Sequence, residues 1–330
     1  MNVSDERMHV VGTEAAWSES YYFNFVDPTS KLAMFTRMGF RPGDRWADGL
    51  HVVYLGADRV AFTYGRREIA PDLSRYDGDL TVGGLRLECV EPFAHWRVSY
   101  DGPAQDIADA AILLERSKAR PDGWFRHAHL VMKVDFRDCA PPHYAGQGPR
   151  GHFEQTGRVS GNIAIDGATH AVSGFGVRDK SWGPRDWGAG GGGSVRTEAR
   201  ATGPAPFVNW FSMNFGTALA LGGSCFRTAD GTMRGAGWIQ RDGRTEDLVD
   251  VVITSTYAPD SILHRRVQLA GRAASGRPID VAGRVLTVCP TKIPTPGGAT
   301  FVNEGLAEFR TEGKTGYGMS EHWHHVRGAA

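Results

Sequence analysis

The chain has 330 residues, long enough for two or three domains, and carries 37 basic against 37 acidic side chains. Balanced charge excludes the basic footprint of a nucleic-acid binder, and no Lys/Arg block marks an anionic-membrane patch. Aromatic residues at 10 %, with nine Trp, exclude a disordered chain; 43 Gly and 17 Pro without a collagen period suit many short strands joined by tight turns.

The opening MNVSDERMHV is charged and has no apolar core, so it does not read as a signal peptide. No window approaches about 18 uninterrupted apolar residues, and a cytoplasmic location is the default expectation. Strand signals follow in chain order at Tyr21–Val26, Leu50–Leu55, Val60–Tyr64, Phe93–Tyr100, Ala128–Phe136, Phe207–Phe215, Leu248–Tyr257 and Val281–Val288, most of them separated by Gly, Pro, Asp or Asn. Alternation is plainest from Ala128 to Phe136, where even positions are apolar and odd ones mostly polar. Ala104–Ser117 carries the best helical pattern, although Ala110–Leu114 suits a buried strand equally well. Roughly sixteen to twenty strands are expected, too many for one small barrel and comfortable for two. The run Gly188–Ser194 is the candidate boundary, giving an N-terminal β domain over 1–187 and a C-terminal barrel over 188–330.

Several motifs fail on inspection. Gly313-Lys314-Thr315 has Glu at 308 where a P-loop needs Gly, and Gly174-x-Gly176 and Gly316-x-Gly318 lack the third glycine of a dinucleotide fingerprint. The two Gly-x-Gly pairs read instead as bends in strands. No Gly-x-Ser-x-Gly elbow is present, which disfavours a standard serine hydrolase. Cys89, Cys139, Cys225 and Cys289 form no CxxC pair and read as reduced, mostly buried thiols.

The stretch Arg178-Asp179-Lys180-Ser181-Trp182-Gly183-Pro184-Arg185-Asp186-Trp187 interleaves charges with large rings. A solvated loop is the plain explanation; a Trp-lined pocket is the other, in which Asp179 and Lys180 would shift towards their neutral forms and exchange protons with a substrate. Upstream, His152, Glu154 and Thr156 share one face of a strand, either a cavity wall or a solvent face. At the C-terminus His322 and His324 share a face, which invites a metal reading, with Glu321, Trp323 and His325 on the other; Glu304 is a further strand acid.

Together, Glu154, Gly174-x-Gly176, Arg178-Asp179-x-Ser181-Trp182-Gly183-x-Arg185-Asp186-Trp187, Glu304-Gly305 and Gly316-Tyr317-Gly318-x-x-Glu321-His322-Trp323 resemble the tandem lipocalin-like superfamily. It contains carotenoid hydratases (hydroxyneurosporene synthases), AttH-like proteins, kievitone-type hydratases and lipocalin-like Diels–Alderases. The opening Trp17-x-Glu19-Ser20-Tyr21-Tyr22-Phe23 is similar to that of a bacterial branch, so the likeness spans nearly the whole chain. The resemblance implies an all-β fold of two packed lipocalin-like antiparallel β-barrels or sandwiches with few short helices. It also implies no cofactor and a hydrophobic small-molecule partner held at the domain junction, and it leaves a homodimer open. One departure is Lys180, which stands where many relatives have His.

On this basis the leading expectation is a lyase, hydratase or isomerase acting by acid–base chemistry on an aromatic or isoprenoid molecule. Asp179 or Glu154 would move the proton with Lys180 or His152 as partner. Arg185 would fix an anionic or phenolic group, and Trp182, Trp187 and Trp210 would wall the pocket, with Glu304, Glu321 and Trp323 as further substrate contacts. A non-catalytic carrier is the alternative; it expects Asp179 exposed and paired with Arg178 or Arg185. A His-ligated metal enzyme built on His322 and His324 is the third reading.

Overall fold

The computed structural model describes residues 2–14, 16–185, 206–295 and 298–327. Among them nineteen strands form, and the only helical segments are four 3-10 turns. None is long and apolar enough to cross a membrane. The described residues fall into two compact units. One lies within Met1–Gly56, Val60–Ile107 and Phe125–Arg185, and the other within Ala57–Arg59, Ala108–Trp124 and Asp186–Ala330.

The first unit is an eleven-stranded antiparallel sheet. Its strands are β1 (Trp17–Asp27), β2 (Leu32–Arg41), β3 (Trp46–Tyr54), β4 (Val60–Glu68), β5 (Leu80–Val82), β6 (Leu85–Glu91), β7 (His95–Ile107), β8 (Arg126–Asp138), β9 (His143–Gly146), β10 (Gly151–Ile165) and β11 (Ala168–Pro184). They run in the order β4-β3-β2-β1-β11-β10-β8-β7-β6-β5, with β9 paired to β10. Pairing of Val60–Phe62 with Gln105–Ile107 joins β4 to β7 and brings the sheet round on itself. The alternation read in β8 is the burial found: Ala128, Leu130, Met132, Val134 and Phe136 are buried while His129, Val131 and Lys133 are exposed.

The second unit is a closed barrel of eight strands joined in sequence order. These are β12 (Val208–Asn214), β13 (Leu219–Arg227), β14 (Met233–Arg241), β15 (Arg244–Tyr257), β16 (His264–Ala273), β17 (Pro278–Thr295), β18 (Gly298–Thr311) and β19 (Lys314–Arg327). Its apolar core includes Phe211, Leu221, Ile239, Val251, Leu269, Val281 and Phe309. Asp166-Gly167 between β10 and β11 has positive φ at both residues, the two-residue turn whose twist matches the strands it joins.

The best helical pattern does not form a helix. Ala104–Ile107 completes β7, and only Ala110–Leu114 turns, as a single 3-10 segment capped by the Asp109 side chain on the Ala111 amide at 2.9 Å. Its apolar residues are used in packing: Ala111 and Leu114 lie against the barrel core of the second unit. The bends read at the Gly-x-Gly pairs are close backbone approaches. A Cβ on Gly176 would stand 1.7 Å from the Asn24 carbonyl oxygen, and one on Gly318 1.9 Å from that of Ser212.

All four cysteines are free thiols; Cys225 and Cys289 are buried, but Cys89 and Cys139 are exposed, contrary to the mostly buried expectation. Cys89 lies in β6 at a register shift against β7, and Cys139 follows the end of β8.

Candidate functional site

Successive side chains of β11 point to opposite faces, and this splits the Arg178–Trp182 motif into two sets with different surroundings. Arg178, Lys180 and Trp182 point with Tyr21, Phe23 and Phe153 into the apolar core of the first unit. Asp179 and Ser181 point the other way, opposite Glu154 and His152 of β10 and Tyr22 and Ser20 of β1.

The core-facing set holds the N-terminal segment. Arg178 is 1 % exposed and donates to Glu6 at 2.6 and 3.0 Å, to Asp138 at 3.2 Å and to Gln155. Its guanidinium lies 5.1 Å from the Phe153 ring centroid. Burial opposes its charge, but the two carboxylates outweigh that and hold its pKa above the ordinary value. One cation facing two buried acids leaves a negative charge in excess, and burial pushes Asp138 up to about 6 in spite of Arg178. Lys180 is fully buried and donates to Glu19 and, at 2.8 Å, to the Arg7 carbonyl. Burial would raise the Glu19 carboxyl, yet Lys180 and His9 hold it below its usual range, so this pair is ionic. Trp182 stacks on the His9 ring at 4.0 Å and donates to the Gly148 carbonyl at 2.8 Å. The partner of Lys180 is thus Glu19 of β1, and not its sequence neighbour Asp179.

The opposite face holds a compact acid–base group. His152 Nε2 lies 3.2 Å from Asp179 Oδ2 and 3.6 Å from Glu154 Oε1, with side-chain exposures of 24 %, 16 % and 4 %. Burial disfavours the imidazolium, but Asp179 first and Glu154 second outweigh it, and the pKa of His152 is raised; Arg185 opposes them. Ser20 and Ser181 share a hydrogen bond of 2.9 Å beside the group. On the same face the Tyr22, Phe35 and Tyr54 rings run in sequence, with centroids 6.5 and 6.0 Å apart, all buried. An imidazole with two adjacent carboxylates therefore sits on the same face as an aromatic strip. The carrier reading expected Asp179 exposed and paired with Arg178 or Arg185; Asp179 is instead 16 % exposed beside His152, and Arg178 pairs with Glu6 and Asp138.

The remaining sequence candidates lie in the second unit. Trp210, Glu304, Glu321 and Trp323 share one face of the barrel wall, the face turned from its apolar core. Trp210 and Glu304 each stand opposite Glu321, and the Trp323 indole donates to Glu321. Trp187 lies outside the described residues. For the metal reading, no group of three His, Cys, Asp or Glu side chains that could hold an ion occurs among the described residues, and the His322 and His324 rings lie 6.1 Å apart. His322 instead stacks face to face on His264 at 3.7 Å and 13°, and its Nδ1 meets the Tyr257 hydroxyl at 3.0 Å. Stacked imidazoles hold their nitrogens side by side rather than converging on one centre.

Sequence reasoning missed Glu6, Glu19 and Asp138 as the partners of the motif, and His264 as the partner of His322. Only the Glu19 position carried a signal, as part of the opening that resembles relatives.

Two antiparallel β units, the second a closed eight-stranded barrel, define a class of fold. The AttH-like protein of Nitrosomonas europaea has this fold, with a TM-score of 0.57 at 14 % identity over 93 % of this chain and 92 % of that one. So does kievitone hydratase of Nectria haematococca, at 0.54 and 9 % identity over 97 % and 94 %. CghA, solved with Sch210972, gives 0.53 and 11 % over the same shares. Within that class the chain belongs to the family described as Domain of unknown function (DUF7064), which matches residues 2–326. No curated protein matches the chain by sequence.

Proposed function

We propose that this protein is a cofactor-independent lyase, hydratase or isomerase that acts by acid–base chemistry on a hydrophobic aromatic or isoprenoid small molecule. The observation that carries the reading is His152 held between Asp179 and Glu154 on a partly exposed face beside buried aromatic rings. His152, kept protonated by its carboxylates, donates a proton to an alkene carbon or a leaving oxygen, and Asp179 or Glu154 accepts one from water or from the substrate carbon. Hydration, elimination and isomerisation all need these two transfers. Arg185, whose charge is felt at His152, orients an anionic or phenolic group. Lys180 and Arg178 are assigned to holding the N-terminal segment rather than to the chemistry. The names of two relatives with the same fold, a hydratase and a protein solved with a small molecule, support a small-molecule reaction of this kind.

The test is incubation with hydrophobic phenolics, terpenoids and polyenes, followed by mass spectrometry. A product differing by one water, or by retention time alone, is expected, with turnover reduced at least tenfold in His152→Gln and Asp179→Asn. Full turnover in both variants would remove the assignment, and tight retention of unchanged compound would favour a carrier.

A further inference from the structure

The C-terminal barrel has an apolar core at one end and a polar one at the other. Asn209 on β12, His322 on β19 and Asn303 on β18 stand opposite one another in register. They share the inward face with Phe211 and with Ala307 and Phe309, all three in the barrel core. His264 of β16 reaches this row across β18. A Cβ on Gly305 would stand 2.3 Å from His264 Nε2, so only glycine at 305 leaves room for the ring, and Nε2 ends 2.8 Å from the Ser320 carbonyl. Tyr257, opposite His264 on β15, closes the cluster with its hydroxyl on His322.

The hydrogen-bonding roles are set by the backbone. Because His264 Nε2 faces a carbonyl oxygen it carries the proton, and Nδ1 is left as a bare acceptor. Asn303 Nδ2 donates to the Ile262 carbonyl at 3.0 Å, which fixes the amide and leaves Oδ1 as a second acceptor. Among the described residues neither of these atoms, nor either polar atom of Asn209, meets a partner. All three side chains are at most 1 % exposed. An unmet buried donor or acceptor costs about 1–3 kcal/mol, and three such side chains converging on one place are rare without an occupant. Burial holds His264 down to about 3 and His322 well below its ordinary value, so the cluster is uncharged. An ion there would have no counter-charge.

We propose that Asn209, His264 and Asn303 bind the hydroxyl of a small neutral alcohol or phenol, whose apolar body lies against the core residues of this barrel. The hydroxyl donates to His264 Nδ1 or Asn303 Oδ1 and accepts from Asn209 Nδ2. The Asn209 Oδ1 atom takes a second donor from the occupant or an accompanying water. This site is separate from the His152 group and does not depend on the reaction proposed there.

The full-length protein, labelled with 15N, is titrated with phenol and separately with anisole, which has the same ring and no donor. The readout is the imidazole nitrogen resonances of His264 and His322. Saturable shifts are expected with phenol at a concentration at least tenfold below any seen with anisole, and Asn209→Leu is expected to weaken phenol at least tenfold. Equal response to both probes would overturn the proposal, as nonspecific apolar binding. No saturable response to either would overturn it too, leaving buried water as the partner of these atoms. Should Asn209→Leu fail to fold, the comparison of the two probes on the wild-type protein decides alone.

Discussion

Asp179 and His152 stand 3.2 Å apart across the β10–β11 pair, on the face opposite Lys180. Alternation alone separates neighbours in sequence by the thickness of a sheet, so two adjacent charged residues serve unrelated purposes. The electrostatics of His152 follow from this placement, and they give the first prediction.

Asp179 is the largest influence favouring the imidazolium of His152, ahead of Glu154. Asp179→Asn is therefore expected to lower the His152 pKa, and Glu154→Gln to lower it by less; histidine ring resonances followed against pH measure both. The folded pKa is raised, so the ion pairing stabilises the protein fully below the unfolded value near 6.5 and is lost as pH rises through the folded value. Activity that uses His152 as the acid should fall over the same alkaline window, and Asp179→Asn should move that limb to lower pH. An unmoved limb would take His152 out of the chemistry.

Lys180 gives a stability prediction rather than a catalytic one. Lys180→Met leaves the buried Glu19 carboxylate with only His9 as partner, and breaking a buried pair in this way costs about 3–5 kcal/mol. Melting temperature should fall by on the order of 10 °C. In the double variant Lys180→Met with Glu19→Leu most of that loss should return, since an apolar pair of similar volume removes the stranded charge. Loss of turnover in Lys180→Met without loss of stability would instead place Lys180 in the reaction.

Much of the fold was legible because alternation and turn residues are local properties. The β8 pattern from Ala128 to Phe136 is its burial pattern, residue for residue. The pairings that decide what the motif does are not local: Arg178 meets Glu6 across 172 positions and Lys180 meets Glu19 across 161. Nothing in the composition of either segment names the other. His152, Glu154 and Asp179 could be placed on faces from the sequence, but their meeting depends on the β10–β11 register. That register is fixed by the two-residue turn at Asp166-Gly167. The helical pattern near Ala110 misled because its apolar spacing serves a single turn packed on the second unit.

Asp138 makes acid and neutral stability differ. Its value near 6, against an ordinary 3.8, corresponds to about 3 kcal/mol. A carboxyl whose folded pKa is raised stabilises the fold fully below its unfolded value, and that contribution is lost as pH rises from about 4 through 6. Asp138→Asn keeps an acceptor for Arg178 and removes the titration. Denaturant unfolding at several pH values should then show the variant gaining on the wild type between pH 4 and 7, by up to about 3 kcal/mol. A constant difference across that range would mean that Asp138 stays ionised throughout.

Two glycines of the β10–β11 hairpin should respond differently to alanine. Gly167, in the turn, has φ of 86° and nothing within 4 Å of a built Cβ, so alanine there meets only the cost of a left-handed backbone, about 1–2 kcal/mol. Gly176 has open backbone geometry but no space: its Cβ would enter the Asn24 carbonyl at 1.7 Å. A backbone oxygen in a paired strand cannot turn aside as a side-chain end can, so β1 and β11 must separate locally. That separation also strains the hydrogen bond that the Val177 N–H donates to Asn24 Oδ1, now 3.1 Å, and shifts Arg178 and Asp179 just beyond it. Gly176→Ala is therefore expected to cost more than about 3 kcal/mol, at or above the upper end for overpacking. It should also disturb the His152 titration, while Gly167→Ala leaves that titration unchanged; equal losses in the two variants would mean the strands part more easily than this close approach implies.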